Sequence, residues 1–128
     1  MGSPRGVVGI ALALVVLALT GCAAGSLPSS GPLAVYPRPD AGMDALLEGE
    51  LAIVDDCLVI RQEDGALAVP VFPAGDASWA EGVLQWRDGE YREGDTIAVG
   101  GGFSGGAMTS AYIPQGCEGI GLFAVSPF

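Results

Sequence analysis

Residues 43–128 predict a small all-β domain, a barrel or sandwich of about six short antiparallel strands. Three observations carry that prediction. Short apolar runs recur along this stretch, broken by Gly, Pro, Asp and Glu. No helical periodicity is sustained for ten residues. Two Asp-containing dipeptides, Asp55-Asp56 and Asp88-Gly89, stand where tight hairpin turns belong. Closing so short a sheet into a barrel would hide its edges from other chains.

The elements follow in chain order. Asp44-Ala45-Leu46-Leu47 is long enough for one helical turn at most. Residues 50–54 and 57–62 read as strands joined by Asp55-Asp56, with Val54 paired to Cys57 and Leu51 to Ile60. Both strands are apolar on both faces, as a strand buried on two sides should be. Residues 67–72 form a third strand, in which Pro70 removes a ladder donor and so predicts an edge or a bulge. Trp79 falls in a loop, 78–82. The strongest hairpin signal is Asp88-Gly89 between 84–87 and 90–92. A turn there sets Trp86 opposite Tyr91 and Arg87 opposite Glu90, pairs that contribute about 0.2–1 kcal/mol each. The turn Glu93-Gly94-Asp95 leads into a strand at 96–99, and 120–125 is the last strand before Pro127.

Upstream of the β domain, residues 23 to about 42 hold Pro28, Pro32, Pro37 and Pro39 among Ser and Gly. This composition predicts a tether with a root-mean-square span of about 25 Å if coil-like. Before it, one arginine and the free amine precede an uncharged run from Val7 to Leu19. Such a run is short for a membrane span, which needs roughly 20 apolar residues, and it fits a secretory signal instead.

The run ends in Leu19-Thr20-Gly21-Cys22, which resembles the lipobox of bacterial lipoprotein precursors. The resemblance implies a diacylglyceryl group on the Cys22 sulfur and cleavage between Gly21 and Cys22. Two acyl chains, at about 0.8 kcal/mol per buried CH₂, hold a protein stably on a membrane without spanning it. The expected organisation is then a removed signal at 1–21, a lipidated N-terminus and flexible tether at 22–42, and the β domain at 43–128. The expected location is the extracytoplasmic face of the cell membrane.

With Cys22 taken by lipid, Cys57 and Cys117 remain as a pair in an oxidising compartment, either as a disulfide or as two buried thiols. A disulfide across some 60 residues would contribute roughly 4 kcal/mol in the chain-entropy account. Cleavage also removes Arg5, leaving four arginines and no lysine against fifteen carboxylates, a formal charge of −11. So acidic a chain lacks the clustered cations that nucleic-acid binding needs. Anionic headgroups repel it too, so the lipid alone must anchor it.

A second resemblance covers residues 48–128. The runs GELAIVDDCLVI, VFPAG, YREGDTIAVGGG and IPQGC resemble an uncharacterised small OB-like β-barrel domain found in lipoproteins of high-GC Gram-positive bacteria. It implies a barrel and the pairing of Cys57 with Cys117. Asp56 stands where that pattern has the glycine of its first hairpin turn. No activity comes with the resemblance.

Catalytic motifs match only in spelling. Residues 102–106 spell G-x-S-x-G, but a serine nucleophile needs a base and the chain has no histidine. Residues 100–105 spell G-x-G-x-x-G without the βαβ unit that would put a helix N-terminus on a pyrophosphate. Both fit a glycine-rich loop. No cofactor is implied, and transition-metal sites lack their usual ligands. Calcium needs only oxygen, which the turn carboxylates could supply, yet no loop of the required spacing is present. A glycosidase would need only two carboxylates, but so small a domain leaves little room for a sugar cleft. The candidate partner contacts are Trp79, Phe103 and Tyr112, with a lid over one barrel end as the alternative for Trp79. The functional expectation is a non-enzymatic binding or structural accessory of the cell envelope with a protein partner. The rivals are a small-molecule-binding lipoprotein and a minor envelope hydrolase.

Overall fold

The computed structural model describes residues 26–128, so Gly21, Cys22 and the signal lie outside the described residues. It is all-β, with strands β1 (Ala34–Tyr36), β2 (Ala45–Val54), β3 (Cys57–Arg61), β4 (Leu67–Pro73), β5 (Ala77–Ala80), β6 (Val83–Trp86), β7 (Gly89–Tyr91), β8 (Thr96–Phe103) and β9 (Gly121–Val125). One 3-10 turn, Gln115–Cys117, lies between the last two.

Five of these strands close into a barrel. The long β2 pairs with β3 through residues 50–54 and with β8 through residues 45–50. Strand β3 pairs with β4, β4 runs parallel to β9, and β9 returns antiparallel to β8. The handover on β2 falls at Glu50, which faces both Arg61 and Thr96. Beside it, a Cβ on Gly49 would stand 2.2 Å from the Arg61 carbonyl oxygen, so the strand can change partners there only with a glycine. Gly101 meets the same constraint where β8 joins β9: a Cβ would lie 2.0 Å from the Ala124 oxygen. The glycine run 100–102 is thus strand, and the loop expected there begins only at Ser104.

The core explains why β3 is apolar on both faces. Leu58 and Ile60 point into the barrel beside Leu47, Leu51, Val99 and Phe123. Cys57 and Val59 point outward into a second cluster with Ala34, Val69, Val71 and Cys117, covered by β1 and the β8–β9 connection. Cys57 and Cys117 are disulfide-bonded across that cluster with their Cα atoms 5.1 Å apart. The first hairpin has the expected register, Val54 to Cys57 and Leu51 to Ile60, although Asp55 and Asp56 must both adopt positive φ, at 50° and 61°.

Several expectations are corrected. Ala45–Leu47 belong to β2 and form no helical turn. Pro70 is not on an edge strand, because β4 has neighbours on both sides. It sits where β3, paired through Leu67 and Ala68, gives way to β1, paired from Val71 onward, so the lost donor coincides with a break in one ladder. Two of the pairings, β1–β4 and β4–β9, are parallel.

The expected tether also ends early. Leu33, Ala34 and Val35 are buried, and β1 lies parallel to β4. The Leu58 amide donates to the Pro32 oxygen at 3.0 Å, and the Tyr36 hydroxyl donates to the Val125 oxygen at 2.6 Å. Burying this four-residue apolar run gains more than leaving it solvated between Pro32 and Pro37.

Strands β5, β6 and β7 form a separate antiparallel meander, inserted between β4 and β8. Trp79, expected in a loop, lies on β5 opposite Leu84. The β5–β6 turn uses Glu81 and Gly82 at φ 52° and 79°. In the next hairpin the turn is Arg87-Asp88, not Asp88-Gly89, so Trp86 faces Gly89, Leu84 faces Tyr91 and Gln85 faces Glu90. The register is set by packing. Tyr91 lies over the bare Cα of Gly89, where a Cβ would come within 2.7 Å of its hydroxyl, and its ring tilts against Trp86 at 6.4 Å. Arg87 takes the positive φ of 56° and sets its guanidinium over Trp86 at 4.8 Å and over Phe128 at 4.5 Å.

Candidate functional site

The three aromatic candidates are not brought into one patch; each lines a different concavity. Trp79 forms one wall of a groove whose opposite side is the segment leading into β1. Leu27, Pro28, Pro32 and Leu33 contribute there, and Ala77 extends the β5 wall. The groove has a volume of about 480 Å³ and is lined without any charged side chain. Its walls are fixed: Leu33 and Val35 are buried in the core, and Trp79 packs against the same cluster. Pro32 is held by the Leu58 amide, and β5 is held by its ladder with β6.

Tyr112 sits beside the same N-terminal segment in a second, polar concavity with Asp55, Asp56 and Gln115. It is occupied structurally: its hydroxyl donates to the Gly31 oxygen at 2.7 Å, and its backbone exchanges hydrogen bonds with Val35. Removing it would loosen the groove from behind. Phe103, half exposed at the end of β8, stands edge-on to Phe123 at 5.2 Å over a third hollow lined by Gly105, Gly106 and Ile120.

Charge around the groove is neutralised locally. Arg38 pairs with Asp76, the residue between Gly75 and Ala77, and also donates to the Phe128 backbone oxygen. The Tyr36 hydroxyl is pushed above its ordinary pKa by burial, which disfavours the phenolate, and the nearby Arg38 charge opposes this only in part.

The chemistry on offer at this site is apolar contact with a few polar rims. Ser104, the central residue of the spelled nucleophile motif, donates from its hydroxyl to the Gly106 oxygen at 2.6 Å, a bond within its own turn. Among the described residues, no three carboxylate or thiol groups converge in a way that would hold a metal ion. Also among the described residues, no helix is long and apolar enough to cross a membrane.

Sequence reasoning found Trp79 but missed Leu27, Leu33 and Val35, because four prolines made their surroundings read as a tether. The signal was present in Leu33-Ala34-Val35-Tyr36, a β-prone apolar run bounded by Pro32 and Pro37. Comparison with family models, with curated proteins and with solved structures finds no match.

Proposed function

We propose that this chain is a membrane-anchored extracytoplasmic lipoprotein whose barrel serves as a binding or structural accessory of the cell envelope. The observation that carries the reading is the pairing of Cys57 with Cys117 within the folded body. It accounts for two of the chain's three cysteines and sets the third, Cys22 in its lipobox-like context, apart for modification. A buried disulfide also fits an oxidising compartment.

The barrel connectivity supports the OB-like resemblance. A long first strand pairs with the second and fourth barrel strands, and the third and fifth are parallel. In the position between the third and fourth barrel strands this chain carries the β5–β7 meander. Barrels of this type commonly serve as binding scaffolds, with function carried by loops. A small-molecule carrier is the second reading, favoured by a groove of about 480 Å³, within the size range of ligand sites.

The test is fractionation of the native host. Wild-type protein is expected in the membrane fraction, released by detergent and labelled by radioactive palmitate fed to the cells, whereas Cys22→Ala, whose signal stays uncleaved, is expected to take up no label. Wild-type protein that takes up no label overturns the anchoring reading. Crosslinking on intact cells then distinguishes an accessory role, which yields a defined protein adduct, from a small-molecule carrier, which yields none.

A further inference from the structure

Resting on the lipidated-Cys22 reading, we propose that the groove between residues 26–33 and β5 is the face the protein lays on the bilayer, with Trp79 at headgroup level. Two independent observations point to this face and this occupant.

The first is reach. Ser26 lines the groove and lies four residues from Cys22. An extended chain covers at most about 3.6 Å per residue, so the groove's rim stands within about 14 Å of the lipidated residue. From Ser26 the chain continues along the groove wall and is locked into the core at Leu33. With so few residues between the lipid and the groove's rim, this face stays within about 14 Å of the lipidated residue, next to headgroups that measure some 5–8 Å per leaflet.

The second is charge. The mature chain carries fifteen carboxylates against four arginines, so most of its surface is repelled by an anionic leaflet. The groove is lined by Ser, Leu, Pro, Gly, Val, Ala and Trp and carries no carboxylate. Asp76, next to its lining residues Gly75 and Ala77, is held in its ion pair with Arg38. Leu27 is exposed on the same face, and tryptophan, with an apolar body and a polar N–H, is the side chain that settles best at a membrane interface.

The test uses the full lipidated protein, purified from a host that processes it and reconstituted into vesicles of phosphatidylcholine and phosphatidylglycerol. Some vesicles carry lipids spin-labelled near the headgroup. Subtracting the emission of Trp79→Phe from that of wild type isolates Trp79, because Trp86 is only 5% exposed. The expected result is loss of the Trp79 emission in spin-labelled vesicles and its shielding from iodide in the buffer. Wild-type protein alone gives a second reading, since Trp79 is only partly buried while Trp86 is enclosed in the core, so the quenchable fraction of its emission comes from Trp79.

Protein that floats with the vesicles while Trp79 stays unquenched by the spin-labelled lipid, whether or not iodide reaches it, overturns this proposal and leaves the anchoring reading standing. A protein partner or small ligand is then the groove's occupant. Protein that does not float at all overturns both.

Discussion

The barrel and the β5–β7 meander are stabilised in opposite ways. Every barrel strand has neighbours on both edges, and β3 is buried on both faces, inside by Leu58 and Ile60 and outside by Cys57 and Val59. The meander has two outer strands without a second neighbour, and it alternates exposed with buried positions. It is pinned to the body chiefly through Leu84 and Trp86. Two-sided burial leaves a strand little freedom to slip, because a shift would bury polar groups on one face or the other. One-sided burial leaves the choice of register to particular side chains. The barrel is therefore the scaffold, and the meander supplies one wall of the groove.

The largest effect should come from opening the disulfide. Replacing Cys57 and Cys117 together by Ser is expected to cost about 4 kcal/mol in urea unfolding, and the loss should be global because the bond crosses the barrel's outer cluster. Next in size is Leu84→Ala, expected to cost about 3 kcal/mol. Here the contrast between regions can be read directly: hydrogen exchange should rise in residues 77–91 before it rises in β3. Uniform exchange across both regions would break the distinction.

These differences also explain what could be read in the sequence. The register of the β2–β3 hairpin was legible, though not the start of β2 at Ala45, because an apolar pair of strands around two turn residues has one register that buries both faces. The β6–β7 hairpin was legible only as a hairpin. Asp88-Gly89 is the better local turn, but Gly89 is needed opposite Trp86 to make room for Tyr91, a tertiary requirement that no local pattern carries. The β5–β6 hairpin was missed because Ser78 to Gly82 lacks apolar alternation. The groove was half legible: its tryptophan stood out, while its N-terminal wall was hidden among prolines that normally signal a solvated linker.

Smaller effects sharpen the comparison. Asp56→Gly should stabilise the barrel by about 0.5–1 kcal/mol, since Asp56 holds a φ of 61° that glycine adopts freely. Arg87→Gly relieves the same kind of strain in the meander but removes the guanidinium from Trp86 and Phe128, so no net gain is expected. Thermal unfolding of the two variants side by side checks this, and equal stabilisation would show that the stacked arginine contributes nothing.

The smallest effect is at alkaline pH. Tyr36 holds its proton more tightly folded than unfolded, so its contribution is fully present below its ordinary pKa of 10 and is lost as pH rises through the higher folded value. Tyr36→Phe should therefore flatten the decline in stability above about pH 10. An unchanged alkaline limb would place that titration elsewhere.

Anchoring and the closure of the folded body both turn on which atoms the three cysteine sulfurs bond to. Intact-mass and peptide spectrometry of protein taken from the native host's membranes reads all three at once. The predicted result is a mature chain beginning at Cys22, carrying a diacylglyceryl group there and a Cys57–Cys117 disulfide. A full-length chain that retains Met1 and has an unmodified Cys22 thiol would contradict it.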